Sequence, residues 1–336
     1  MMPNGDETSA FHLRARENLH GDNYVRLKLS APFKPDSGEF NNKNTSGDPI
    51  LFNEAFVAVG GEWGELAAGR LANIFSGNGD FGLCPHINPS PMGTNFPNAG
   101  LTPIFSSGYY YNNSVIYNSP RVNGFHVAAM YSNGRDDDSV SRGKSDQFSA
   151  LALTYIGESF KFAVIPTYID SDSLKTATVT PNDEYGIALL GSYWPEPTMG
   201  LHFGYQFVRD GRALGGSYFN YFTPAAAGGP GIAKSERGVD THALSLGFSK
   251  RFGAQKISIV LMGNKVEYKG DSAVDGDSEG WRVIPATIYR YYLSKRTHFW
   301  ASASTSQSGG LYKKAREFER DPTKAWDVGA GLVHHF

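Results

Sequence analysis

Apolar and polar side chains alternate with a period of two along much of this chain. Phe125, Val127, Ala129 and Tyr131 share one face of an extended segment, and His126, Ala128 and Met130 share the other. Leu201, Phe203, Tyr205 and Phe207 alternate with His202, Gly204, Gln206 and Val208, and Phe160, Phe162 and Val164 alternate with Lys161, Ala163 and Ile165. Nearer the start, Phe11, Leu13 and Ala15 alternate with His12, Arg14 and Arg16, and Val25, Leu27 and Leu29 with Tyr24, Arg26 and Lys28. This is the period of a β-strand with one apolar face. Aromatic residues bracket the apolar rows, as at Tyr155, Tyr168, Tyr193, Trp194, Tyr291 and Trp300. Rings at both ends of a strand are expected where it leaves lipid. The opposite face carries small and charged residues, a poor core for a sandwich but a suitable wall for water.

The connections sharpen the prediction. Seven are tight, around His20–Asp22, Gly60–Glu62, Pro120–Asn123, Gly157–Ser159, Pro195–Pro197, Phe252–Ala254 and Ser294–Arg296. Seven are longer and polar, at roughly 32–49, 76–110, 133–146, 170–183, 209–237, 268–279 and 306–324. Short and long alternate without a break, the order of an outer-membrane barrel with short periplasmic turns and long external loops. Fourteen connections join fifteen strands. A bacterial barrel of this type has an even number, with both chain ends inside. The expectation is therefore an all-β, transmembrane antiparallel β-barrel with a sixteen-strand parent, fifteen strands visible and one outward-running strand absent before Thr8.

Composition agrees. Charged residues are 19% and aromatics 13%, with Gly 39, Tyr 18 and Phe 22, which favours strands and turns over helices. No run approaches the roughly 18 apolar residues of a spanning helix, so a membrane crossing must use a closed barrel that pairs every backbone group. One barrel domain is expected over 1–336. The formal net charge of −2 argues against nucleic acid as a partner. The lone Cys84 cannot form an internal disulfide and reads as an inert loop residue. The start, Met1-Met2-Pro3-Asn4-Gly5, is not a secretion signal, so one is expected to have been removed or to lie upstream.

Four stretches resemble the Gram-negative general porins, especially the beta-proteobacterial type. Glu54 to Arg70 resembles their strand, turn, strand and Gly-Arg unit, and Asn113 to Arg121 their next strand and turn. Tyr291 to Thr297 resembles their Leu-Ser-Lys-Arg-Thr hairpin, and Gly331 to Phe336 their C-terminus. The resemblance implies a homotrimer of barrels in outer-membrane lipid. It implies a water-filled channel for passive diffusion of small hydrophilic solutes and ions, and a loop, here about 71–107, folded inwards. It also implies that Phe336 serves as the signal read by the barrel-assembly machinery, and that loop 32–49 latches a neighbouring barrel. Alternative functions are a substrate-selective porin, or a plugged barrel with an adhesive or structural role.

Rings of fixed charge set which ions enter a narrow pore. Arg70 matches the Gly-Arg arginine of the family and Arg14 a basic wall position. Arg16, Arg26 and Lys28 share the inward face of adjoining strands, and Asp80 is the only acid of the inward loop. With Glu54, these are the expected pore-lining residues. The bases outnumber nearby acids such as Glu17 and Glu54, which predicts a weak anion preference. No Ser/His/Asp spacing singles out a catalytic site, so no enzyme is expected. His334 and His335 point to opposite strand faces and make a poor metal pair, and neither metal nor cofactor is expected.

Overall fold

The computed structural model describes residues 9–34, 37–40, 42–43, 49–76, 79–92, 104–105, 110–133, 146–171, 180–211, 236–269, 278–314 and 324–334. Among the described residues, seventeen strands follow one another along the chain. They are β1 (Ala10–Asn18), β2 (Tyr24–Pro32), β3 (Asn42–Lys43), β4 (Pro49–Ile50), β5 (Glu54–Gly61), β6 (Gly64–Ala72), β7 (Tyr110–Asn118), β8 (Phe125–Ser132) and β9 (Gln147–Ile156). Then come β10 (Phe160–Asp170), β11 (Glu184–Glu196), β12 (Met199–Gly211), β13 (Val239–Phe252), β14 (Gln255–Tyr268), β15 (Glu279–Tyr292), β16 (Thr297–Gly310) and β17 (Lys324–His334). Fifteen of them form one sheet in chain order, each antiparallel to the next, while β3 and β4 make a separate ribbon in the first long loop. The predicted alternation of tight and long connections holds throughout. β1 and β17 are the two edges and run the same way, so a strand running against both would pair with each.

Strand length rises along the chain. β1, β2 and β5–β8 have 8 or 9 residues, while β13–β16 have 14 each. About 9–11 residues of tilted strand cross the hydrocarbon of a membrane. The early wall is thus at the minimum height, and the later wall projects beyond it.

The two faces of the sheet differ in chemistry. Val57, Leu151, Leu246, Ile259 and Leu261 each remain about half exposed, and all lie on the outer face. A continuous apolar surface of this extent has no place in water, where exposed patches rarely exceed a few hundred Å². Aromatics collect at the ends of this face: Trp63 stacks on Tyr117 at 6.3 Å and Phe125 packs on Tyr155 at 5.0 Å near the tight turns. Tyr168 meets Tyr185 at 5.2 Å near the long loops. Trp194 and Trp300 depart from the expectation. They alternate with the outward residues and sit inside, Trp194 donating to Ser192 and Trp300 lying across Gly329 and Gly331 of β17.

The inner face is also less uniformly polar than its sequence suggests. From β8 to β15 it is largely apolar and buried, as at Met130, Ile165, Leu190, Met262, Ile284 and Ile288. On β16 it turns to hydroxyls, with Ser302, Ser304 and Ser306 partly exposed. The segment after β6 packs against this apolar arc, with Phe105 beside Gly204 and Leu190.

Candidate functional site: a charged wall and an inward loop

β6 continues through Ala72, so the connection to β7 begins at residue 73 rather than at 71. Its described parts enter the lumen and cross it. Ile74, Phe75, Phe81, Leu83, Ile87 and Phe105 are all at most 5% exposed. A single helical turn, α1 (Cys84–Ile87), ends at Asn88, whose left-handed φ of 56° lets its N–H reach the Cys84 carbonyl at 2.7 Å. The Cys84 thiol donates to the Phe75 carbonyl at 2.9 Å, and burial pushes its pKa well up, so it is inert as a nucleophile.

Three bonds dock this segment on the far wall. Ser192 Oγ donates to the Ile87 carbonyl at 2.6 Å, His202 Nδ1 donates to the Asn88 carbonyl at 2.7 Å, and Asn264 Nδ2 reaches the Ile104 carbonyl at 3.3 Å. His202 Nε2 lies 3.0 Å from Ser249 Oγ, so the hydroxyl donates to it in the neutral tautomer. Small residues make room. A Cβ on Gly247 would come within 2.5 Å of Pro91, and one on Gly204 within 3.1 Å of Phe105. The three docking bonds join residues more than a hundred positions apart, and no local pattern reveals them.

The near wall holds the charges. β1 and β2 place Arg14 opposite Lys28 and Arg16 opposite Arg26 on the lumen side. Arg26 donates from Nε and Nη2 to the two oxygens of Glu65, at 2.7 and 2.5 Å, and from Nη1 to Asp80 at 2.5 Å. Tyr24 donates to the same Glu65 at 2.7 Å. The guanidinium of Arg26 also lies 4.9 Å from the Phe56 ring and 5.1 Å from Phe81, which orients its fork. Lys28 pairs with Glu54 and, at 2.6 Å, with Asp80. Glu54 in turn accepts the Asp80 backbone N–H at 3.2 Å. Asp80 is thus the point at which the inward loop is fastened to the wall. Burial alone would raise its pKa, but the hydrogen bonds and charges of Lys28 and Arg26 outweigh that and hold it below the usual carboxylate range. Gly79, at φ 81°, brings it there: a Cβ would come within 2.4 Å of Ala72 and 2.6 Å of Glu54.

Most of the residues singled out in the sequence meet here, with differences. Arg14, Arg26, Lys28, Glu54 and Asp80 come together, Arg14 at 3.9 Å from Asp80 and largely exposed. Arg16 stands beside them, its guanidinium 3.9 Å over the Tyr24 ring and bonded to Asn18. Arg70 does not join. Arg70 alternates with Gly69 and Leu71, which face inward, so it lies on the outer side opposite Ala55 and donates to Asn112 at 2.5 Å. Glu17 is opposite Val25 on the outer face and balances nothing in the lumen. Glu65 was missed, although it shares an alternating face with Ala67 and Gly69. With Glu65 included, three acids meet Arg14, Arg26 and Lys28, and with Arg16 beside them the bases exceed the acids by one. Phe336 lies outside the described residues.

An up-and-down sheet with an apolar outside, a loop docked within and charges on a wet inner wall defines a transmembrane β-barrel channel. Residues 2–310 match the family model described as Gram-negative porin, and the chain belongs to that family. It is 29% identical over 346 residues to an outer membrane porin protein of Bordetella pertussis, covering 98% of this chain and 82% of that protein. Among solved structures it is similar to the anion-selective porin from Comamonas acidovorans, with TM-score 0.65, 18% identity, and 99% and 90% of the two chains covered. It is also similar to OmpT of Vibrio cholerae in its trimer form, with TM-score 0.59, 10% identity, and 98% and 91% covered. The protein is an outer-membrane porin of the Gram-negative type, a channel for diffusion and not an enzyme.

Proposed function

We propose that the whole chain works as a single barrel domain whose inward loop, about 71–107, narrows the channel against the wall of β1, β2, β5 and β6. Arg14, Arg16, Arg26, Lys28, Glu54, Glu65 and Asp80 line that narrowing. The observation that carries this reading is Asp80, the one loop acid, held between Arg26 and Lys28 on the lumen side of β2. A loop fastened at this wall and docked on the opposite one leaves a passage bordered by charges on one side and by the hydroxyl row of β16 beyond β17. The solutes it suits are small and hydrophilic. Because the ion-paired groups cancel, selectivity is weak, and Arg14 and Arg16, the exposed cations, tilt it towards anions.

The working unit is a homotrimer, as the trimer form of OmpT supports. The loop between β2 and β5 latches neighbouring copies. Its described parts pair Phe33 with Phe40 and Lys34 with Glu39, the latter at 3.0 Å, and include the β3–β4 ribbon. Phe336 is the feature read by the barrel-assembly machinery. Planar-bilayer recording on the full chain tests all of this. Open steps in groups of three with a small anion-directed reversal potential are expected; no conductance, or a clear cation preference, refutes it.

A further inference from the structure

Beneath the helical turn α1, at the tight-turn end of the lumen, two cations and two histidines from separate parts of the chain share one corner. Lys161 alternates in β10 with Ala163 and Ile165, which are buried on the inner face, so it turns to the lumen. It lies directly opposite Ser192 of β11, and Ser192 Oγ holds the Ile87 carbonyl at 2.6 Å. His86, the residue before Ile87, is therefore fixed over the wall of β10 and β11, against which α1 packs. His126 in β8 alternates with the inward Ala128 and Met130. Arg121 stands in the turn just before β8, where Val122 pairs with Phe125 and the Ser119 N–H bonds the Val127 carbonyl.

These groups act on one another. Desolvation against the wall, and then the charges of Arg121 and Lys161, hold the His86 pKa below its ordinary value, so at neutral pH it is an uncharged N–H donor. Arg121 and His86 are in turn the charged neighbours of His126. His126 Nδ1 meets Thr154 Oγ1 at 3.3 Å, which leaves Nε2 for another partner. Among the described residues, neither Arg121 nor Lys161 has a side-chain hydrogen bond or an ion pair. The acid of the adjoining turn, Glu158, is exposed and pairs with neither of them. Arg121 and His86 are exposed while Lys161 and His126 are half-buried, so the corner is open to water.

We propose that Arg121, Lys161, His86 and His126 form a binding site for a phosphate-class oxyanion at the tight-turn mouth of the channel. A planar guanidinium, an ammonium and two imidazole N–H donors match the several acceptor oxygens of a phosphate, and supply more directed hydrogen bonds than a halide can use. The site is distinct from the Asp80 cluster, where carboxylates of the protein already meet the cations. One of its donors, His86, belongs to the inward loop and the others to the barrel wall. A bound oxyanion therefore bridges loop and wall at a second charged point.

The assay rests on the channel reading: no current at all sinks that reading, whereas current without phosphate block sinks this one. The full-length protein is inserted in one orientation in a planar bilayer. Inorganic phosphate is added to one side at a time, with chloride at matched ionic strength as the comparison. Millimolar phosphate on the tight-turn side should reduce the current, and the same concentration on the long-loop side should do so several-fold less. Arg121→Gln combined with Lys161→Gln should weaken the block roughly tenfold, the scale of one lost charge-assisted hydrogen bond, and Lys161→Arg should retain it. Equal block from both sides, or block undiminished in the double variant, overturns the proposal. The imidazole NMR signals of His86 and His126, read in the unaltered protein in detergent, decide the matter even where a variant fails to fold. Phosphate should shift them and chloride should not; signals that stay in place under phosphate overturn the proposal as well.

Discussion

Replacing Asp80 by Asn changes one charge in a cluster whose charges cancel. Shape is kept, and the amide can still accept from Lys28 or Arg26 on one side. Arg14, Arg26 and Lys28 would then face only Glu54 and Glu65, adding one net positive charge to the wall. The Asp80 side chain is 22% exposed, so an ion in the lumen can pass close to it. At roughly 5 Å in water a unit charge acts on an ion by about 0.8 kcal/mol. A Debye length of about 10 Å at 0.1 M salt reduces this to about 0.5 kcal/mol. Anions gain what cations lose, so discrimination moves by about 1 kcal/mol, roughly a fivefold change in permeability ratio. At 1 M salt, with a Debye length of about 3 Å, the change falls below about twofold. The assay is the zero-current potential across a salt gradient at both concentrations. An unchanged potential at 0.1 M, or a shift that does not shrink at 1 M, refutes the reasoning that Asp80 borders the ion path.

Other outcomes follow from the same geometry. Lys28→Met leaves Glu54, 1% exposed, without its cation, and should cost about 3–5 kcal/mol. Thermal unfolding in detergent, read by gel mobility, should show most of that loss restored in Lys28→Met with Glu54→Gln, and no restoration would show that the two do not act as a pair. Asp80 has a lowered pKa in the folded protein, so its contribution is complete above the ordinary carboxylate pKa of about 4 and is lost as pH falls through the lower folded value. Single-channel conductance should hold steady from neutral pH to about 4 and become unstable only below it; a transition nearer neutrality contradicts the assignment. Gly79→Ala forces a side chain into a left-handed position already filled by Ala72 and Glu54, so open-channel noise should rise as the fastening loosens. A quiet channel in that variant would mean that the loop does not depend on this contact.

The barrel was legible because its signals are local. Period-two alternation in Phe125–Tyr131 or Leu201–Val208 places each side chain without knowledge of its neighbours, and tight turns at Gly157–Ser159 or Phe252–Ala254 fix strand direction. Arg26 and Lys28 were found for the same reason. Their partners were harder. Glu65 opens a strand directly after a turn, and its match with Arg26 needs the register of β2 with β5 and of β5 with β6. Arg70 was misplaced because a motif outweighed its parity with Leu66 and Ala68. The apolar character of the inner arc was visible residue by residue, in Met130, Ile165 and Leu190. Its meaning was not, since a small apolar residue facing the lumen reads as neutral lining until the loop that covers it is known.

That arc changes what removing the loop would do. Inside this cylinder lies an oily strip against which the segment after β6 packs, as does the turn at Leu311–Lys314. Cutting the segment away to widen the bore would expose Leu190, Met262 and Ile284 to the aqueous path. The product would be less a larger sieve than a sticky one, prone to trapping greasy solutes and to collapse as it assembles.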